Sequence, residues 1–305
     1  MRPAPPFTRI LLRTRAERRA LYEAEEARVA RCMAQRGFTY EPKSYVDDAD
    51  RRAATLDYQV GDLDVATAVG YGIAEHADVG ATVAQADANV SRIQDMAPAQ
   101  RAAWFEALHG KDRPPPDREH PSSDPDLGFV SIPSGPAVSW DRNSCLTRAL
   151  RELYGPDDDY KRALLETNMA FNEVYRLVDA DPDYVAGVGR WRQCMIGRGY
   201  DYPAPGEAAV ELGRELHEGR ISRDDLRSRE IAIATADAEC FTNTGLGDLR
   251  AAVQQRIERE VQARYAEALD SYERMVQGAL REAHRSPAGT EGADHTPASE
   301  GSSHS

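Results

Sequence analysis

The chain has 305 residues, with 38 Lys and Arg against 51 Asp and Glu, a formal net charge of −13. That excess of negative charge excludes a nucleic-acid backbone or an anionic membrane surface as a general partner. Hydrophobic residues make up 41% and aromatics only 7%, so the apolar content is largely alanine and single leucines. This composition suits closely packed helices rather than a strand-rich sandwich, and the fold class expected is mainly α, a helical bundle.

In chain order, residues 1–13, with Pro3, Pro5 and Pro6, are expected to be a loosely held N-terminus, followed by a single helical domain over 14–285. Ile10-Leu11-Leu12 is too short for the apolar core of a signal peptide, so no export signal is expected at Met1 as the sequence is written. No apolar run approaches the roughly 20 residues that span a bilayer, so no transmembrane segment is expected. Thr14-Arg15-Ala16-Glu17 fits a capping box and predicts a helix from Arg15 to Arg36, ended by Gly37. Glu41 to Leu63 is polar and acidic without a sustained period. A short helix from about Val65 is predicted to stop at Gly70 or Gly72, and two more are predicted over Ala84 to Gln94 and Pro98 to Leu108.

Residues 111–126 hold five prolines and no aliphatic residue, and read as a surface loop. Phe129 to Ile132 and Ala137 to Trp140 flank Pro133-Ser134-Gly135-Pro136, a small β-hairpin near 129–140. Asn143 or Ser144 caps a helix carrying Cys145, Leu146, Leu150 and Leu153, ended by Gly155-Pro156. Helices follow from Asp158 to Val178, from Asp181-Pro182 to Cys194, from Gly206 to Glu218 and from Ser222 to Glu239. Leu249 to Leu280 carries apolar residues mostly four apart and reads as one long helix whose stripe winds around it. Residues 286–305 form a Gly/Ser/Ala/Thr tail, expected to be disordered.

The most informative feature is a repeat. Arg31 to Tyr40, RCMAQRGFTY, returns as QCMIGRGYDY over Gln193 to Tyr202, with Cys, Met, Arg, Gly and Tyr in register. Each copy has a later cysteine followed by an apolar residue and a threonine, Cys145-Leu146-Thr147 and Cys240-Phe241-Thr242. The chain therefore reads as two pseudo-repeats, 14–155 and 156–285. The motif itself reads as a helix ending: with Gly37 just past the helix in the left-handed conformation, Met33 and Phe38 take the two touching positions of a Schellman motif, and Met195, Gly199 and Tyr200 repeat them.

Four cysteines without a C-x-x-C are more natural in an oxidising compartment than in the cytosol. Of three possible connectivities, Cys32 with Cys145 and Cys194 with Cys240 respects the duplication. The alternative is four reduced cysteines packed as small hydrophobes.

Chemistry-bearing patterns are sparse. Asp179-Ala180-Asp181-Pro182-Asp183 begins like a calcium loop, but Tyr184 stands where glycine is needed and Arg190 where a bidentate glutamate belongs, so helix capping is expected. Asp157-Asp158-Asp159 suits the positive end of a helix. Gly245-Leu246-Gly247 lacks the Lys and Ser/Thr of a phosphate loop and reads as an interhelical turn. The seven histidines contain no H-x-x-x-H pair. Neither catalytic, cofactor-binding nor metal-ligating residues are assigned, and no cofactor is expected. Trp104, Trp140 and Trp191 are expected to pack.

Taken together, AEEARVARCMAQRGFTY, DLDVATAVGYG, MAPAQRAAWFEALHG, CLTRALRELYG, GRWRQCMIGRGYDYP and DAECFTNTGL resemble a family of uncharacterised actinobacterial proteins, over about Glu23 to Leu246. Members of that family typically carry a secretion or lipoprotein signal. The resemblance implies action outside the cytoplasmic membrane and supplies no catalytic residues. With no signal expected at Met1, this chain departs from the pattern: either the start codon is misplaced, or this member stays inside, with the cytoplasm as the alternative location. The function expected is that of a non-enzymatic, disulfide-braced helical protein of the cell envelope binding a protein or a small ligand. The alternatives are a hydrolase-type enzyme assembled from distant residues and a cytosolic scaffold with reduced thiols.

Overall fold

The computed structural model describes residues 13–45, 61–76, 88–112, 116, 123–133 and 135–285. The expectations for 1–12, for 46–60, for the start of the Ala84 helix, for most of the proline-rich loop and for the tail 286–305 lie outside them. Among the described residues there are twelve helices and one two-stranded sheet, so the protein is mainly α with a small hairpin.

Helix α1, Arg15–Gln35, starts where the capping box places it. The Thr14 hydroxyl accepts the Glu17 N–H at 3.2 Å, and the Glu17 carboxylate accepts the Thr14 N–H at 2.8 Å. Helix α2, Leu63–Val69, is capped by Asp62, whose carboxylate accepts the Val65 N–H at 3.1 Å. A second short helix, α3, Ile73–His76, follows directly and has no counterpart in the sequence reading. Helices α4, Ala88–Gln94, and α5, Pro98–His109, come next, the latter with proline in its first turn and Gly110 at its end. The hairpin pairs β1, Leu127–Ser131, antiparallel with β2, Ala137–Asp141, placing Gly128 opposite Trp140 and Val130 opposite Val138.

Of the two candidate caps, Ser144 takes the role. Its hydroxyl accepts the Thr147 N–H at 3.1 Å and opens α6, Cys145–Tyr154. Helix α7 is Asp157–Asp179, and α8, Pro182–Gly197, is capped by Asp181, which accepts the N–H groups of Asp183 and Tyr184. Then come α9, Glu207–His217, and α10, Arg223–Asn243, which Ser222 caps.

Three expectations near the C-terminus are corrected. Helix α10 runs past Glu239, so Cys240 lies inside a helix. Gly245, at φ +64°, is the left-handed residue before α11, Leu246–Arg264, so Leu246 and Gly247 are helical rather than a turn. The long apolar stripe is not one rod: α11 ends at Tyr265, and α12, Ala266–Arg285, follows. A spacing of four drifts around a straight helix, and the two parts share α7 as a neighbour, while α11 also packs on α8 and α12 on α1 and α6. Val253, Ile257 and Val261 of α11, with Leu269, pack on Ala170, Val174 and Val178 of α7. Val276, Ala279 and Leu280 of α12 pack on Leu21 and Ala24 of α1 and Leu153 of α6.

The core has two further clusters. One gathers Val29, Met33, Trp104 and Ala149 around Cys32 and Cys145. The other gathers Trp191, Met195, Leu212, Leu226 and Ile233 around Cys240, and includes Ala66, Tyr71 and Ile73 from the α2–α3 segment. Packing therefore crosses the midpoint of the chain: α2 and α3, early in sequence, sit on α10.

Candidate functional site

The repeated motif forms two matching helix ends. In the first, Phe38 N–H donates to the Met33 carbonyl at 3.0 Å and Gly37 N–H to the Ala34 carbonyl at 3.0 Å. In the second, Tyr200 N–H donates to the Met195 carbonyl at 3.0 Å and Gly199 N–H to the Ile196 carbonyl at 2.9 Å. These are the two bonds of a Schellman motif. Gly37 and Gly199 sit at φ +81° and +89°, and Met33 and Met195 are fully buried.

The cysteine one position before each methionine is bonded to the other half of its pair. Cys32 joins Cys145 with Cα atoms 5.5 Å apart, and Cys194 joins Cys240 at 5.7 Å. No cysteine is free. The arginine four residues after each cysteine, on the same side of the helix end, grips the same partner segment. Arg36 donates to the carbonyl of Asn143, two residues before Cys145, and to the carbonyl of Ala107 in α5. Arg198 pairs with Glu239, next to Cys240. Each copy is thus a two-point clamp, one covalent and one through the arginine, which hydrogen-bonds to backbone carbonyls in the first copy and forms an ion pair in the second. The spacing Cys-x-x-x-Arg was visible in both copies, but no local rule says where those arginines reach.

A Cβ at Gly37 or Gly199 would meet nothing within 4 Å, so the need for glycine is conformational alone. Gly37→Val and Gly199→Val are each expected to cost about 1–2 kcal/mol in urea unfolding, with asparagine at the same positions costing less.

Between the second clamp and the α2–α3 segment lie two carboxylates that the sequence did not single out. Glu230 and Asp237 are seven residues apart on α10, hence on one face, and each is 1% exposed. Glu230 accepts the backbone N–H groups of Ile73 at 2.9 Å and Ala74 at 3.1 Å, closing the start of α3. Asp237 accepts the Tyr71 hydroxyl at 3.2 Å and Trp191 Nε1 at 2.9 Å. Gly70, at φ +68°, lets the turn come down on α10, since a Cβ there would lie 2.7 Å from Glu230 Cγ and 2.8 Å from the Ile231 nitrogen. Burial pushes both carboxyls up, against the donors that hold them down, and Asp237 reaches about 6.

Other ionisable clusters brace the helices. Asp157, in the first turn of α7, accepts Trp140 Nε1 at 2.7 Å, Arg142 Nη1 at 2.9 Å and Arg151 Nε at 2.9 Å, tying β2 and α6 to α7. Burial works against its charge, but the bonds from Arg151 and Trp140 hold its carboxyl below the usual range. Tyr154 donates to Glu25 at 2.5 Å and stacks on Tyr160 with ring centroids 4.3 Å apart. Burial raises both phenols and the Glu25 carboxyl. Asp181 caps α8 and pairs with Arg256 of α11 at 2.5 Å, a structural use of the calcium-like stretch.

A groove of about 760 Å³ runs between α1, α6 and α12, lined by Ala24, Ala27, Arg28, Glu152, Glu282 and His284 among others. A more open hollow of about 600 Å³ lies beside Phe241 and Asp248, near Asp62 and Asp64. Among the described residues no His, Cys, Asp and Glu cluster could hold a metal ion, and no helix is long and apolar enough to cross a membrane. Comparison with protein-family models, curated proteins and solved structures finds no match to this chain.

Proposed function

We propose that the chain is a disulfide-braced helical protein of an oxidising, extracytoplasmic compartment, acting by binding a protein or a small ligand rather than by catalysis. The observation that carries this reading is the use of all four cysteines in two bridges that anchor equivalent helix ends. Lasting disulfides belong to oxidising compartments, where a fold can depend on them. The matching Cys and Arg clamps support an internal duplication, and the resemblance to an actinobacterial envelope family points to the same location. The test is to quench native cells with acid, fractionate them and alkylate any thiols. Four blocked cysteines outside the cytosolic fraction are expected. Four alkylated cysteines in the cytosol overturn the reading and favour a reduced intracellular scaffold instead.

A second reading, an enzyme assembled from distant residues, draws on the groove where Arg28, Glu152, Glu282 and His284 converge. Turnover of an ester, amide or phosphoester probe that disappears in both Glu282→Gln and His284→Ala would favour it over the first.

A further inference from the structure

We propose that the α2–α3 segment, Leu63–His76, is a proton-tightened latch on α10, with Asp237 as the group that takes up the proton. The geometry is unusual for a carboxylate. Asp237 is 1% exposed, inside a cluster of Trp191, Ile233, Ala234, Ala238 and Cys240, and its partners are neutral. Tyr71 faces it from the segment and Trp191 from α8; burial and these two bonds are the influences on its charge, and no cation adds to them among the described residues. A buried charge without a counter-charge is costly, and the neutral acid removes that cost.

The surroundings accept the neutral form through a turn of the Tyr71 hydroxyl. Trp191 Nε1 can only donate, so it keeps one oxygen as its acceptor. The Tyr71 hydroxyl can both donate and accept, so it turns to receive the new O–H from the other oxygen. The reaction is uptake of a solvent proton by the carboxylate: the hydrogen bond between Tyr71 and Asp237 reverses direction, and the Tyr71 O–H no longer donates to Asp237. Glu230, the second buried acid under the segment, faces the N–H groups of Ile73 and Ala74, with Glu75 from α3 and Arg227 from α10 nearby, and burial raises it as well. Both acids therefore act in the same direction.

Lifting the segment removes Tyr71 and opens α10 to water, where Asp237 returns towards its ordinary value of 3.8 from about 6 in the docked state. A group whose pKa is raised by docking contributes fully below the undocked value and loses that contribution as pH rises through the docked one. The latch is thus tightest in mild acid and loosens towards neutral pH. Its docking constant is expected to rise on the order of ten- to a hundred-fold from pH 7.5 to pH 4.5, a pKa unit being a factor of ten.

The experiment is amide hydrogen exchange on the intact, oxidised chain from pH 4.5 to 7.5, corrected for the intrinsic pH dependence of exchange. Protection of residues 63–76 is expected to rise as pH falls, by more than that of α7, which serves as the internal reference. Asp237→Asn mimics the protonated acid, accepting from Trp191 and donating to Tyr71. Its segment should be more protected at pH 7.5 than the wild type is at that pH, short of the wild type at pH 4.5 by the share of Glu230, with the remaining pH dependence reduced to that share. Wild-type protection that is flat with pH, or that changes equally in α7, overturns the proposal without any variant. So does a folded Asp237→Asn protein that keeps the full wild-type slope.

Discussion

Replacing Cys32 and Cys145 together by alanine is expected to produce one of the two largest stability losses available in this chain. The bridge has a sequence separation of 113, against 46 for Cys194–Cys240. In the chain-entropy account those loops correspond to about 5 and about 4 kcal/mol, reduced wherever the unfolded chain keeps structure. Both bridges lie within apolar clusters, and Cys145 and Cys240 are fully buried, so alanine also forfeits some packing. Urea unfolding of the oxidised wild type and of the two double-alanine variants measures the difference. A loss under about 1 kcal/mol for either pair would mean that the arginine half of the clamp, Arg36 on the Asn143 carbonyl or Arg198 with Glu239, suffices to hold the helix end.

Trp191→Ala is expected to cost about 4–5 kcal/mol, comparable to losing a bridge. Trp191 is 1% exposed at the centre of the cluster that joins α8, α9, α10 and the α2–α3 segment. Its removal leaves a large void and strips Asp237 of a donor at 2.9 Å. Trp191→Phe separates the two effects, keeping most of the volume while deleting the N–H, and should cost about 1–3 kcal/mol. Equal losses for the two variants in urea unfolding at pH 7 would show that the hydrogen bond matters more than the filled space.

Much of the helical frame was legible because its signals are local. Thr14, Asp181-Pro182 and Ser222 announce helix starts through side chains that reach only three residues ahead, and Gly37, Gly110, Gly155 and Gly199 announce ends through backbone conformation. The bridge connectivity was legible for a different reason, since a duplicated motif restricts which thiols are equivalent. What escaped was non-local. Nothing in Leu63–His76 says that it will sit on a helix more than 150 residues later, as the Tyr71 to Asp237 bond, 166 residues apart, shows it does. Asp237 was one acid among 51 Asp and Glu, although its place in the run IAIATADAEC, between alanines on a helix too apolar to be a solvent face, was a usable hint. The break at Tyr265 left no glycine or proline to mark it. Both helices it separates pack on α7, and α12 reaches α1 and α6 as well.

The two bridges are consecutive along the chain, 32 with 145 and 194 with 240, and neither crosses nor encloses the other. An oxidant that joins thiols in the order of synthesis therefore makes the native pairs directly, and the first loop can close before the second motif has been translated. In that order of joining no early bond has to be undone, unlike in chains whose bridges cross.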